Sequence, residues 1–381
     1  MKKYFFRKQK YELSYLLLIS ASISMVIPEP ILPCSTMSYS FKENTYLARN
    51  YDFPFGHGML VTNKRNMRKA GLISHTEHMH LAAEWKSKYG SITFNQFSRE
   101  LPTGGINEKG LAVELMWLIG SRPGKPDSRK AVNELQWIQY QLDHYKSVRE
   151  MKINAEKIQI ISTAAPLHYI ACDASGECGI FDFHENQVTV YTGKTLEEKI
   201  STNHFYKDKN ISDKEIDIST HYKNEEKIAL RDSSRRFQLL SQFLKNPVQE
   251  NPVEYGFSGI DAVKGKMSIF RRMIYLIKGQ NPATHWQIVY SLQKKEIFFR
   301  THSSKKIKKV SLDHFDYSCR TPVHILDIDH KAAGNANDAF KTYERSDNER
   351  IVNLSFRKWD QLPKNGQKFL VDLPEKFSCE D

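Results

Sequence analysis

The spacing of apolar positions changes several times along this chain, and each change marks an element. Residues 34–41 alternate small and larger side chains, a short polar turn follows, and residues 45–50 resume the alternation, which predicts a hairpin. Residues 59–63 predict another strand. Residues 91–94 and 111–118 predict strands on either side of a turn through Gly104-Gly105-Ile106-Asn107-Glu108-Lys109-Gly110. Over residues 130–150 the apolar positions fall at helical spacing, predicting one amphipathic helix. Strands are expected at 168–172, 179–183 and 187–191, helix at 225–245 and in part at 259–277, then strands at 285–290 and 296–301. Residues 331–349 are polar and read as loop and helix. Runs of strands interrupted by helical blocks predict α+β packing, with sheets facing each other and helices covering them.

The first 33 residues do not fit this pattern. Over residues 1–15, Lys2, Lys3, Arg7, Lys8 and Lys10 stand against Glu12 alone, and an apolar, Ser-containing run follows at 16–27. This is the layout of a secretory signal, and the run is shorter than the roughly 20 apolar residues of a spanning helix. Ser22 and Ser24 supply the small residues a signal peptidase prefers, whereas Ile31-Leu32-Pro33 does not. The expected organisation is a signal at 1–24, a short propeptide at 25–33, and a catalytic domain at 34–381 with a C-terminal extension after about 330. The product is exported, periplasmic or secreted, with no stable membrane association.

Without residues 1–33 the net charge falls from +12 to +9, because five Lys/Arg and two Asp/Glu are lost. The basic charge is dispersed. Its densest cluster, Lys305-Lys306-Ile307-Lys308-Lys309, reads as a solvated strand end, and no aromatic-interleaved pattern accompanies it, so no nucleic-acid partner is expected. Four cysteines besides Cys34 (Cys172, Cys178, Cys319 and Cys379) allow three pairings in an oxidising compartment. Cys172 and Cys178 flank a turn and suit a cross-strand bridge. No second cysteine pair has ligand spacing for zinc. His75, His78 and His80 form a weak metal candidate, with His78 and His80 sharing a face if the segment is a strand. Asp232-Ser233-Ser234 lacks the elbow of a serine hydrolase.

The candidate chemistry centres on Cys34. A cysteine at the start of a mature chain carries a thiol and a free α-amine whose ordinary pKa is ~8, so one residue supplies both nucleophile and base. Fifteen residues on stand Arg49-Asn50-Tyr51-Asp52. A fixed cation such as Arg49 favours the thiolate, and Asp52 can hold an ammonium by a charge-assisted hydrogen bond. Alone, in its Asn-x-Asp context, Asp52 reads more often as a turn residue.

Five segments taken together resemble the choloylglycine hydrolase family, which contains bile salt hydrolases and penicillin V acylases. They are Cys34 with the 47–53 stretch; Gly104 to Leu111; Ser201-Thr202-Asn203; Ser234-Arg235-Arg236-Phe237; and the strand pair around Trp286 and Phe299. The resemblance runs from Cys34 to about Thr301. It implies a four-layer αββα sandwich and hydrolysis of a linear amide carbon–nitrogen bond through a thioester on Cys34, without a cofactor or metal. It further implies that Arg49 attends the thiol, Asp52 the α-amine and Asn203 the oxyanion. A site arginine falls at Arg236, or at Arg235 if the register slips by one. Trp117 stands where bile salt hydrolases carry an Asn; its main chain can serve the oxyanion and its indole an acyl pocket. That departure favours acyl-homoserine lactones or phenoxyacetyl amides such as penicillin V over conjugated bile salts. The family's members are often tetramers. A secreted binding protein of the same fold, uncut and inactive, is the alternative from another class.

Overall fold

The computed structural model describes residues 34–73, 76–161, 165–264, 283–357 and 362–380. The expected signal and propeptide, His75 and the 265–277 part of a predicted helix lie outside the described residues.

Two large sheets face each other. The seven-stranded one runs Ile200–Ser201, Ser35–Phe41, Asn44–Phe53, Ala283–Ser291, Glu296–Thr301, Lys308–Ser311 and Gly334–Asn335. The nine-stranded one runs Gln187–Thr192, Cys178–His184, Leu167–Cys172, Ala112–Trp117, Pro102–Asn107, Ser91–Asn95, Met59–Asn63, His324–Asp327 and Lys341–Thr342. Between them lies a core built from Leu47, Tyr51, Ile288 and Phe299 of one sheet and Ile92, Phe94, Ala112 and Met116 of the other. Phe237, Leu240, Phe257 and Ile260, from helices Asn224–Leu244 and Pro252–Ala262, join the same core from the far side of the seven-stranded sheet. On the opposite side, Val113, Leu115, Tyr169 and Phe181 meet Trp137, Ile138, Leu142 and Met151 of helices Gln136–His144 and Val148–Ile153. The result is the expected α+β sandwich of helix, sheet, sheet and helix layers.

This layering explains why the central strands lack apolar–polar alternation. Both faces of Ala112–Trp117 are covered, so Val113 and Leu115 go to the helices while Ala112, Glu114 and Met116 point between the sheets. Helix Pro252–Ala262 starts where Asn251 accepts from the Val253 and Glu254 amides, with proline in the first turn.

Three expectations are corrected. The single helix over 130–150 is a short strand, Lys130–Val132, then two helices parted at Tyr145. The Asn107 side chain donates to the Leu142 and Tyr145 carbonyls, which ends the first helix, and Ser147 caps the second through the Glu150 amide. The Gly104–Asn107 stretch is strand, not turn: it pairs with Ser91–Asn95 on one side and Ala112–Trp117 on the other, and Gly105 is needed there because a Cβ would strike the Ile92 carbonyl and Thr93; the turn proper follows, with Gly110 at φ +81°. Lys308 is no solvated strand end. Strand alternation turns it inward with Val310, fully buried, 5.1 Å from the Phe299 ring centre.

Cys172 and Cys178 face each other across adjacent strands and are bonded. Cys319 is bonded to Cys379, which pins the C-terminal strand Ser378–Cys379. Cys34 is free. No helix among the described residues is long and apolar enough to cross a membrane.

Candidate active site

The 34–53 hairpin places the first three candidates. Its register sets Ser35 opposite Asn50 and Thr36 opposite Arg49, so Cys34 lies beside the end of the second strand. The Cys34 thiol is 5% exposed and points at the Asp52 carbonyl oxygen, 3.8 Å away. Arg49 and Asp52 are three residues apart on one strand, so alternation sends them to opposite faces of the sheet. Arg49 reaches between the sheets, where it pairs with Glu114 and donates to the Thr103 carbonyl at 2.7 Å. Asp52 accepts from the Thr284 hydroxyl of the neighbouring strand.

The electrostatics are those of charge taken out of water. Burial pushes the Cys34 thiol above its usual value, against the pull of Arg49 and Arg236. Burial likewise pushes Asp52 up to about 7, despite Thr284 and both arginines. Bonding capacity is left over: Asp52 Oδ2, Arg49 Nε and Arg49 Nη2 are buried with no hydrogen-bond partner among the described residues. Groups of this kind are costly to leave unmet and mark where a ligand or another charge belongs.

Asn203 and Arg236 complete the cluster. Arg236, on helix Asn224–Leu244 and 1% exposed, donates to the Cys34 carbonyl at 2.6 Å, to Ser35 Oγ at 2.6 Å, to Asn203 Oδ1 at 2.8 Å and to Asp232 at 2.8 Å. Arg235 is exposed and, among the described residues, its side chain bonds Asp232 across one helical turn, so it is Arg236 that the helix brings to Cys34 and Asn203. Burial works against the Asp232 charge, but Arg236 holds that carboxyl below the usual range. Asn203 is fixed from every side. Its amide nitrogen donates to Ser233 Oγ, its carbonyl accepts from Ile119, and its side-chain Nδ2 donates to the Trp117 carbonyl at 3.0 Å, leaving the second N–H of that amide. Ser233 therefore braces a loop. His204 binds it at 2.8 Å, with a ring that burial lowers to about 3 and keeps neutral. His168, backed by Asp182, lies 2.7 Å from the Thr202 carbonyl next door.

Trp117 ends its strand half-buried, with its indole packed towards Ile119, Ile216, Tyr222 and Leu230. His78 and His80 lie on a 3-10 turn, Thr76–Leu81, so the shared strand face assumed for them does not exist. Among the described residues no group of three His, Cys, Asp or Glu is placed to hold a metal. Glu114 and Tyr290 were not found by sequence reasoning. Glu114 carried one signal, as the single carboxylate in the apolar run 111–118. Its partner Arg49 is 65 positions away.

A model of the linear amide C–N hydrolases of the choloylglycine hydrolase family matches residues 34–228, and the chain belongs to that family. A penicillin V acylase of Pectobacterium atrosepticum is 30% identical over 130 residues. That match covers 30% of this chain and 35% of the relative's length. The structure of a penicillin V acylase from Agrobacterium tumefaciens superposes with TM-score 0.65 at 23% identity, covering 82% of this chain and 98% of that one. A variant of the conjugated bile acid hydrolase from Clostridium perfringens gives 0.57 at 13% identity, covering 82% and 96%. At these identities the two structures speak for the fold.

Proposed function

We propose that this chain hydrolyses a linear amide with Cys34 as an N-terminal nucleophile, after removal of residues 1–33. The observation that carries the reading is the buried Oδ2 of Asp52, without a hydrogen-bond partner among the described residues, in the cluster that holds a buried free thiol. A carboxylate oxygen there suits an α-ammonium on Cys34, which exists only once the bond to Pro33 is cut.

In this reading the α-amine takes the thiol proton, with Arg49 favouring the thiolate. The sulfur attacks the amide carbonyl. The second N–H of Asn203 Nδ2 and the Trp117 main chain receive the oxyanion, while Arg236 fixes the Cys34 carbonyl and the Asn203 side chain together. The α-ammonium protonates the leaving amine, and water then frees the acid from the thioester.

Acyl-homoserine lactones and phenoxyacetyl amides are the preferred substrates, with conjugated bile salts second. Phe53 and Phe55, half-buried just past Asp52 and edge-to-face with each other at 4.9 Å, with Phe97 5.7 Å from Phe53, support this order. Such faces suit aromatic and long acyl chains. The relative named penicillin V acylase points the same way. Both disulfides support export to an oxidising compartment.

The test is a substrate panel on the chain beginning at Cys34, with acid release measured for phenoxyacetyl, acyl-homoserine lactone and bile-salt amides. Turnover of the first two above the third supports the reading. Turnover of none, from a preparation whose terminus is Cys34, counts against it.

A further inference from the structure

Arg49 is held from the opposite sheet. Its Nη1 is committed to Glu114 and the Thr103 carbonyl, its guanidinium lies 4.8 Å over the Tyr51 ring, and its Nε and Nη2 have no hydrogen-bond partner among the described residues; the hairpin register sets it opposite Thr36, two residues from Cys34. Glu114 has no exposure, and its other carboxylate oxygen accepts from the Tyr290 hydroxyl at 2.5 Å. The fold makes room for this carboxylate. Gly104 lies directly across the ladder from Glu114, and a Cβ on Gly104 would overlap the carboxylate itself. Three strands therefore cooperate on one ion pair: Pro102–Asn107 supplies a gap, Ala112–Trp117 the anion, and Ala283–Ser291 a second donor.

A buried ion pair of this kind is weak evidence for stability, because well-packed apolar residues often replace such pairs at no cost. Its location argues for another use. Resting on the function proposed above, we propose that Glu114 is a positioning residue for the amide hydrolysis: it fixes the guanidinium of Arg49 so that the Nε and Nη2 edge is left for the Cys34 sulfur, and its negative charge sets how strongly that cation stabilises the thiolate. Arg49, Tyr51, Tyr290 and Cys34 are the ionisable groups around the pair. Burial pushes Glu114 up to about 7 even with Arg49 and Tyr290 bonded to it, so its charge is adjustable near neutral pH.

The experiment is the pH dependence of Cys34 alkylation by iodoacetamide in the chain beginning at Cys34, with kcat/KM against pH on the same samples. Glu114→Gln keeps the size and removes the charge. The thiol then faces an uncompensated cation, so the alkylation midpoint falls, by on the order of one pH unit. The acid limb of kcat/KM moves with it. Tyr290→Phe weakens the carboxylate's second hydrogen bond and moves the midpoint in the same direction by less; it decides the matter if Glu114→Gln does not fold. A folded Glu114→Gln with an unmoved midpoint and an unmoved acid limb overturns the proposal. The alkylation readout needs no amide substrate, so a wild-type protein that alkylates normally but hydrolyses nothing points to failure of the proposed function instead.

Discussion

This molecule buries two clusters of charge, and they are built differently. Lys69, Glu100 and Asp143 meet away from the candidate site, with Lys69 Nζ 2.8 Å from Glu100 and 3.1 Å from Asp143. Asp143 also accepts from Trp85 and Gln139. Each charge there has an opposite at contact distance. Among the described residues both clusters hold buried polar atoms without an aligned hydrogen bond, Lys69 Nζ and Glu100 Oε2 in the first and Asp52 Oδ2, Arg49 Nε and Arg49 Nη2 in the second. The difference is that Lys69 and Glu100 still meet as an ion pair, whereas the cluster at Cys34 pairs Arg49 with Glu114 and Arg236 with Asp232 and, among the described residues, leaves Asp52 without an ion-pair partner. A closed cluster ties together a strand, a turn and a helix. An open one has a charge left for something the folded chain does not itself supply.

Substitutions that strike one cluster and not the other sharpen the contrast. The largest expected effect is at Asn203. On the proposed function, Asn203→Ala removes an oxyanion donor and lowers kcat on the order of 10²–10³-fold with a modest change in KM, measured by steady-state acid release. A comparable effect on stability, without one on chemistry, belongs to the closed cluster. Lys69→Met strands two buried carboxylates and costs about 3–5 kcal/mol by denaturant melts, while kcat per folded molecule is unchanged. If Lys69→Met instead spares stability and lowers kcat, the division between the clusters is wrong.

Asp52 gives a pH-dependent test of intermediate size. Its folded pKa, about 7, stands above the ordinary carboxylate value because of burial. The native state therefore binds the proton more tightly than the unfolded chain. Stability is complete below about pH 4 and is lost as pH rises through 7. In a chain still carrying residues 25–33, Asp52→Asn melts higher than its parent at pH 8, and the gap closes towards pH 4. In a chain starting at Cys34 the α-ammonium pairs with Oδ2, so the sign reverses and Asp52→Asn melts lower at pH 8. The same sign in both forms contradicts the role given to Asp52. The smallest effect is at Arg235. This exposed neighbour of Arg236 changes stability by less than about 0.5 kcal/mol on substitution with Ala, and leaves kcat unmoved.

Much of this was legible in the chain itself. Hairpin 34–53, the strand pair around Trp286 and Phe299, and helix Asn224–Leu244 follow from local period, and motif order singles out Cys34, Arg49, Asp52, Asn203 and Arg236, which the fold brings into one cluster. What was hidden depends on distant neighbours. Gly104-Gly105 reads as a turn by composition, yet it is strand, paired on both sides, and the glycines make room for Glu114 and the Ile92 carbonyl. One helix reads across 130–150 because its apolar spacing barely falters at Tyr145, and the break comes from Asn107 reaching in from another element. Lys308 reads as surface because nothing adjacent says which face of its strand is covered. Arg235 and Arg236 are equivalent by sequence, and only the helix's rotation against the Cys34 strand separates them.

The central claim is that Cys34 begins the working chain. Intact mass and terminal sequencing of the exported protein, taken on the same preparation whose acyl-amide turnover is measured, test it most directly. The account predicts an active chain whose first residue is Cys34 and whose activity is lost when a thiol-directed label adds to residue 34. Full activity in a chain that still carries Pro33 on Cys34 would contradict it, because the amine that Asp52 is placed to hold would not exist.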